Sequence, residues 1–235
     1  MIDIKNLSKK FGEIEVLKDL NLEITKGGVF AILGPNGSGK TTLIKSFLGM
    51  IIPDKGTIDY NGKSVLGEWE YRTNISYLPQ IANFPNNLTV SELINMVKNL
   101  RNKDTNEDEL IDLFKIEKFK NKKLGVLSGG TKQKVNLVLS FMVDTDIIIL
   151  DEPTTGLDPV SVISLKELIE KEKNKGKTIL ITSHIINFVE EVSDDIIFLL
   201  DGKIYFKGSI ALLKEQTNNT NLEMAIANLI LKQYD

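Results

Sequence analysis

Residues 29–49, "VFAILGPNGSGKTTLIKSFLG", constrain the fold more than any other stretch. A short apolar run ends in glycine, a glycine-rich loop follows, and apolar residues then recur at helical spacing, which is the strand–loop–helix order of an α/β fold with a buried parallel strand. Within it Gly34, Pro35, Asn36, Gly37, Ser38, Gly39, Lys40, Thr41 and Thr42 contain the pattern G-x-x-x-x-G-K-[ST]. The glycines let successive amides face phosphate oxygens, Lys40 reaches the β and γ phosphates, and Thr41 offers a hydroxyl to Mg²⁺. Chance would supply the specified positions somewhere in such a chain only on the order of one time in a hundred.

The rest of the 235-residue chain supports a globular core, with 42% hydrophobic and 26% charged residues. A net charge of −3 gives no broad basic field for nucleic acid or anionic membrane. Cysteine is absent, which excludes disulfides, thiolate metal sites and a cysteine nucleophile. "MIDIKNLSKK" alternates and turns basic late, unlike a secretory signal, so the chain is expected to stay where it is made. "VNLVLSFMV" and "IIIL" fall short of the roughly 18 apolar residues that span a bilayer.

Strands are expected at "MIDIKNL", "EVLKDLNLEIT", "VFAILG", "GTIDYNGK" and "NISYLPQ", with a helix over "TLIKSFLGMI". From about Phe84 to Met142 helical periodicity takes over, with "TVSELINMVKNL" opened by a capping Thr89 and "DELIDLFKIEKF" as a second helix. Strand character returns at "DIIIL", "TILITSH" and "DIIFLL", the last joined through Asp201-Gly202 to "KIYFKG" as a hairpin. "LEMAIANLILK" forms an amphipathic tail helix.

Two further clusters carry chemistry. "IIILDEP" delivers Asp151 and Glu152 at the carboxyl end of an apolar strand, where Asp151 suits Mg²⁺ and Glu152 suits polarising a water aimed at the γ phosphate. "LSGGTKQKVNLVLS" starts a helix whose first amides lack helical partners and whose Ser128, Gly129 and Gly130 leave them uncovered, a second anion-ready turn.

Together with Phe11 in "KKFG", Gln80 in "YLPQ", Asp158 in "TTGLDP" and His184 in "TSH", these motifs resemble the ATP-binding cassette family, the nucleotide-binding subunits of ABC transporters, over nearly the whole chain. The resemblance implies a P-loop NTPase (RecA-like) α/β core with an N-terminal antiparallel β subdomain and an inserted α-helical subdomain. It places the core at 1–83 and 143–210, the helical subdomain at 84–142 and a short tail at 211–235. It implies ATP and Mg²⁺ as ligand and cofactor, and a head-to-tail dimer in which Ser128 of one chain closes on the γ phosphate held by the other. Phe11 would stack on adenine, although an isolated Phe is ordinarily core. Gln80 would touch Mg²⁺ or the attacking water and sense a permease, His184 would hydrogen-bond the γ phosphate, and Asp158 would lie at the dimer seam. Position 131 is Thr where the family consensus has Gln, a departure that bears on ribose and interface contacts.

A lone cassette with a brief tail looks like the subunits that pair with ABC-2-type permeases of about six spans. It would sit on the inner face of the membrane through that partner, as a homodimer or with a paralogue. "NISYLPQIANFPNNLTVSELINMVKNLRN" and "LSGGTKQKVNLVLSFM" look most like the ATPase of the copper-processing, nitrous-oxide-reductase maturation system. No residue reads as a copper ligand. A cassette acting on nucleic acid or in cofactor assembly has only "KFKNKK" in its favour, a run better explained as solvated surface, so no nucleic-acid partner is expected. A regulator without turnover is opposed by Glu152.

Overall fold

The computed structural model describes residues 1–231, so Lys232 and the remainder of the expected tail lie outside the described residues. In chain order the first half holds β1 Ile2–Phe11, β2 Ile14–Ile24, β3 Gly28–Leu33, α1 Lys40–Phe47, β4 Lys55–Tyr60, β5 Lys63–Ser64, β6 Ile75–Leu78, α2 Val90–Arg101 and α3 Glu107–Leu113. The second half holds α4 Gly129–Phe141, β7 Ile147–Asp151, α5 Pro159–Asn174, β8 Thr178–Thr182, α6 Ile186–Val192, β9 Asp195–Leu200, β10 Lys203–Ser209, α7 Ile210–Thr217 and α8 Leu222–Leu231. Two compact units result, one of Met1–Arg72 with Leu180–Asp235 and one of Thr73–Ile179. The second unit thus takes β6, β7 and α5 together with the helical segment.

In the first unit β2-β1-β4-β5 form a four-stranded sheet, antiparallel throughout, which is the expected β subdomain. Its core face shows why the strands bend. Ile2, Ile4 and Leu7 are all buried, yet the step from Ile4 to Leu7 breaks the two-residue alternation of a strand. Asn6 absorbs the extra residue at φ 51, where the ladder shifts register. Leu17 and Leu20 on β2 repeat the device through Asp19 at φ 50.

The same unit pairs β3 with β9 in parallel and β9 with β10 antiparallel, closed at Asp201 and Gly202, both at positive φ as the expected hairpin turn requires. Val29 to Leu33 are all buried, the mark of a parallel strand covered on both faces. Ala31, Leu33, Ile196, Phe198, Leu213 and Leu222 share one core with Ala225 and Ile226 of α8. Each fully buried Leu, Ile or Phe there contributes about 1.5–3 kcal/mol. Helix α1 stops earlier than its apolar pattern: Gly49 at φ 67 donates to Ser46 O and Met50 N–H donates to Lys45 O, a glycine C-cap.

In the second unit β6 and β7 pair in parallel, Tyr77 opposite Ile149 and Leu78 opposite Leu150. Thr89 caps α2 as expected, within a reciprocal box: Glu92 N–H donates to Thr89 Oγ1 and Thr89 N–H donates to Glu92 Oε2. The second expected helix is shorter than its pattern. It ends at Leu113, and Lys115 at φ 54 turns the chain so that Phe114 and Ile116 both become buried. β8 lies across the division between the units in the sequence.

Candidate functional site

In the first unit β3 delivers the phosphate loop at Leu33. Gly34, Gly37 and Gly39 take φ 150, 82 and 107, and two of them are also required by space. A Cβ on Gly34 would meet Leu199 O at 2.0 Å, and one on Gly39 would meet Leu17 Cδ2 at 2.8 Å and Val16 O at 2.9 Å. Gly34→Ala should therefore lower stability by about 1–3 kcal/mol, as overpacking does, and weaken nucleotide binding; thermal unfolding and titration with a fluorescent ATP analogue check both effects.

The loop's chemistry suits a polyphosphate. Helix α1 begins at Gly39 without a side-chain cap, leaving its first amides to an anion. The Ser38 hydroxyl is buried and has no hydrogen-bond partner, a costly arrangement in a loop with no such partner of its own. Lys40 Nζ donates to Gly34 O at 2.8 Å and Pro35 O at 3.0 Å, which folds the ammonium back across the loop. Thr41 and Thr42 are half-buried in the first turn, while Pro35 and Asn36 are exposed at the loop's tip. Gly202 N–H donates to Ser38 O at 3.2 Å, so the hairpin turn buttresses the loop from behind.

Phe11 closes β1 with 49% of its surface exposed, so the ordinary expectation of a core Phe does not hold; Lys9 Nζ lies 5.5 Å from its ring centroid. An aromatic face left at a strand end is available for stacking. His184 is exposed in the bend after β8.

In the second unit Asp151 ends β7 and is 2% exposed, with Glu152 next at 8%. Glu152 sits at φ 52, a left-handed conformation that costs a non-glycine residue about 1 kcal/mol or more. Tyr77, opposite Ile149 in the ladder, shares a sheet face with Asp151 two residues further on, and its hydroxyl is bonded to that carboxylate. Burial, together with the charge and hydrogen bond of Asp151, pushes the Tyr77 hydroxyl up to about 12. It stays a neutral donor. Gln80 is exposed just past β6.

Ser128 is the N-cap of α4, and both it and Gly129 are exposed. The expectation of wholly uncovered amides is corrected at one position. Ser128 Oγ accepts from Thr131 N–H at 3.3 Å and lies 2.9 Å from Thr131 Oγ1, so the departing residue at 131 helps close the turn. Gly130 is required sterically, because a Cβ there would meet Gly156 O at 2.6 Å. Asp158 caps α5 by accepting from Ser161 N–H at 2.9 Å, and Lys134 Nζ lies 2.6 Å from its carboxylate. The Lys134 ammonium first, and then the Ser161 amide, hold the Asp158 carboxyl well below the usual carboxylate range.

Sequence reasoning missed Tyr77, Gln133, Lys134 and Asn136, and it singled out Thr131 without foreseeing its bond to Ser128. The signal for two of them was present, since Gln133 and Asn136 are amides at i and i+3, on the same side of the helix as the apolar Leu137 and the small Ser140. Among the described residues no helix is long and apolar enough to cross a membrane, and no group of three or more His, Cys, Asp or Glu is placed to hold a metal.

The ABC transporter family model matches residues 17–155. The lantibiotic transport ATP-binding protein SrtF of Streptococcus pyogenes is 33% identical over 98% of this chain and 98% of its own. A solved ATP-binding subunit of an ABC transporter superposes with a TM-score of 0.91 at 29% identity, covering 98% of this chain and 99% of that one. The dimeric post-hydrolysis structure of the ATP-binding cassette MJ0796, bound to ADP and Pi, gives 0.79 at 27% identity over 89% and 98%. With a phosphate loop built for a polyphosphate, two buried carboxylates at a strand end and a serine-capped glycine turn, this chain belongs to the ABC transporter ATP-binding cassette family, whose P-loop ATPases hydrolyse ATP to power transport.

Proposed function

We propose that this chain is the ATPase subunit of a membrane transporter and works as a head-to-tail dimer that holds two ATP molecules between its copies. The observation that carries this is the presence of two anion-ready glycine turns on one chain. The phosphate loop has a buried, unpartnered Ser38 hydroxyl, and the Ser128 turn is exposed. One ATP needs both, and pairing with a second copy supplies the second turn to each.

In this function Lys40 and the loop amides bind the β and γ phosphates, Phe11 stacks on the base and His184 holds the γ phosphate. Glu152 orients and polarises the attacking water, and Asp158 lies at the seam beside Lys134. Mg²⁺, which takes oxygen donors, suits the chemistry of the Thr41 hydroxyl, the Asp151 carboxylate and the Gln80 amide, the residues the family resemblance assigns to it, and would neutralise phosphate charge. Tyr77 donates to Asp151 and so fixes its orientation.

The narrower assignments remain part of the proposal. The chain acts as one cassette in which 84–142 is the helical subdomain and 211–235 the tail, docked on an ABC-2-type permease of about six spans at the inner face of the membrane. The copper-processing likeness of 74–102 and 127–142 finds no support in the relative named for lantibiotic transport, so the proposal stops at an exporter ATPase.

Lys40→Ala tests the nucleotide assignment. It removes the charge-assisted contact to phosphate and should lower turnover by ~10²-fold or more, with the circular dichroism spectrum unchanged. Wild-type ATP hydrolysis by the folded variant would remove the proposal's foundation.

A further inference from the structure

Helix α4 starts at the Ser128 turn, and its buried face carries two amides where an apolar helix would carry aliphatic side chains. Gln133 is 8% exposed and Asn136 is 3% exposed. A buried carboxamide is costly unless bonded, so what these two bond to is informative. Gln133 Nε2 donates to Pro153 O at 3.0 Å, and Asn136 Nδ2 donates to Pro79 O at 3.3 Å. Pro153 directly follows Glu152, and Pro79 directly precedes Gln80.

Both carbonyls lie just beyond the last ladder pair, Leu78 with Leu150, where strand pairing no longer fixes the backbone. Glu152 needs such fixing most, because its φ of 52 persists only if neighbouring structure over-determines it. Two more contacts bring α4 against the same segment: Gly130 packs on Gly156, and Lys134 pairs with Asp158. One rigid helix therefore carries the anion-ready turn at its end and grips the backbone beside both Glu152 and Gln80 along its side.

We propose that Gln133 and Asn136 are positioning residues: they lock the backbone of Glu152 and Gln80 to the helix whose first turn reads the partner's nucleotide. This deepens the dimer reading above and rests on it for the word partner. The positioning role itself rests only on contacts within one chain. The consequence is that placing Ser128 of one copy against phosphate sets the catalytic backbone for that copy's own nucleotide, which couples the two sites of a dimer.

The test uses the purified full chain. Gln133→Met keeps length and burial but removes the donor. It should lower kcat by between about ten-fold and about a hundred-fold, the cost of a misplaced catalytic group, with KM for ATP unchanged. Because Gln133 acts through Glu152, the loss should vanish in a Glu152→Gln background measured by single-turnover phosphate release. Asn136→Ala should behave likewise against Gln80→Ala, which keeps the proposal testable if either variant fails to fold. Ser140→Ala is the control for merely disturbing the helix: Ser140 is equally buried on α4, but its hydroxyl donates to Asn136 O within the helix at 2.8 Å, and both constants should hold. Unchanged kcat in Gln133→Met, a loss that multiplies with Glu152→Gln, or an equal loss in Ser140→Ala would each overturn the positioning role. ATP-induced dimerisation of the wild type is measured alongside by light scattering. If the wild type stays monomeric, the dimer reading fails while the kinetic comparison still judges Gln133.

Discussion

Glu152→Gln should cut ATP hydrolysis by ~10²-fold or more while leaving ATP binding intact, and ATP with Mg²⁺ should then hold the chain as a long-lived dimer. The carboxamide keeps the size and hydrogen-bonding reach of the side chain but loses the charge that polarises water. The backbone favours this clean outcome. Glu152 adopts φ 52, and the carbonyl of its successor accepts from Gln133, a bond in which the carboxylate takes no part. The substitution is therefore expected to keep that bond and to remove the charge. Binding energy from the phosphate loop still closes the dimer, and opening, which follows hydrolysis, becomes slow. Phosphate release and dimer lifetime, with ADP as the control nucleotide, measure the two halves of the expectation. Turnover at the wild-type rate would remove Glu152 from the chemistry.

The nucleotide-binding part of that expectation could be framed from sequence because its ingredients are local, whereas the dimer is what the family resemblance implies. The phosphate loop is contiguous, and its strand, glycines and helix each announce themselves by period or by steric need. The same holds for the hairpin at Asp201-Gly202 and the cap at Thr89. What could not be read is whatever depends on a side chain reaching a backbone far along the chain. Nothing in "YLPQ" tells that Tyr77 shares a face with Asp151, because that follows from strand register. Nothing in "TKQKVN" tells that the two amides grip Pro153 and Pro79.

Phe11 shows the opposite limit. Its residue type argued for the core, and only the end of β1 leaves it exposed. The second helix of the 84–142 segment shows a third. Its apolar spacing continues past Leu113, but burying Phe114 and Ile116 together requires the reversal at Lys115, and tertiary packing overrides the local pattern.

Ser128→Arg should bind ATP nearly as the wild type does and yet form no ATP-induced dimer. Ser128 is exposed, and its hydroxyl bonds only within its own turn, to Thr131, so a long cation there perturbs little within the chain. Against a second copy the guanidinium would occupy the space that phosphate and the partner's loop require. Light scattering with and without ATP reads this directly, and dimerisation like the wild type's would refute the composite site. The stronger consequence appears on mixing Lys40→Ala with Ser128→Ala, which removes the hydroxyl contact without adding the bulk that keeps copies apart. Each alone damages both sites of its homodimer. In a mixed head-to-tail dimer the altered Ser128 faces the altered Lys40, so both lesions fall in one site and the other site is wild type throughout. Random pairing of equal amounts makes half the dimers mixed, and one working site in each returns roughly a quarter of wild-type turnover if the sites act independently. A shortfall below that value measures how far one site depends on the other, the quantity that the grip of Gln133 and Asn136 on the catalytic backbone is expected to govern. A mixture no more active than its parts, with subunit exchange confirmed by labelled chains, would mean that the Ser128 turn does not complete the site held by a partner's Lys40.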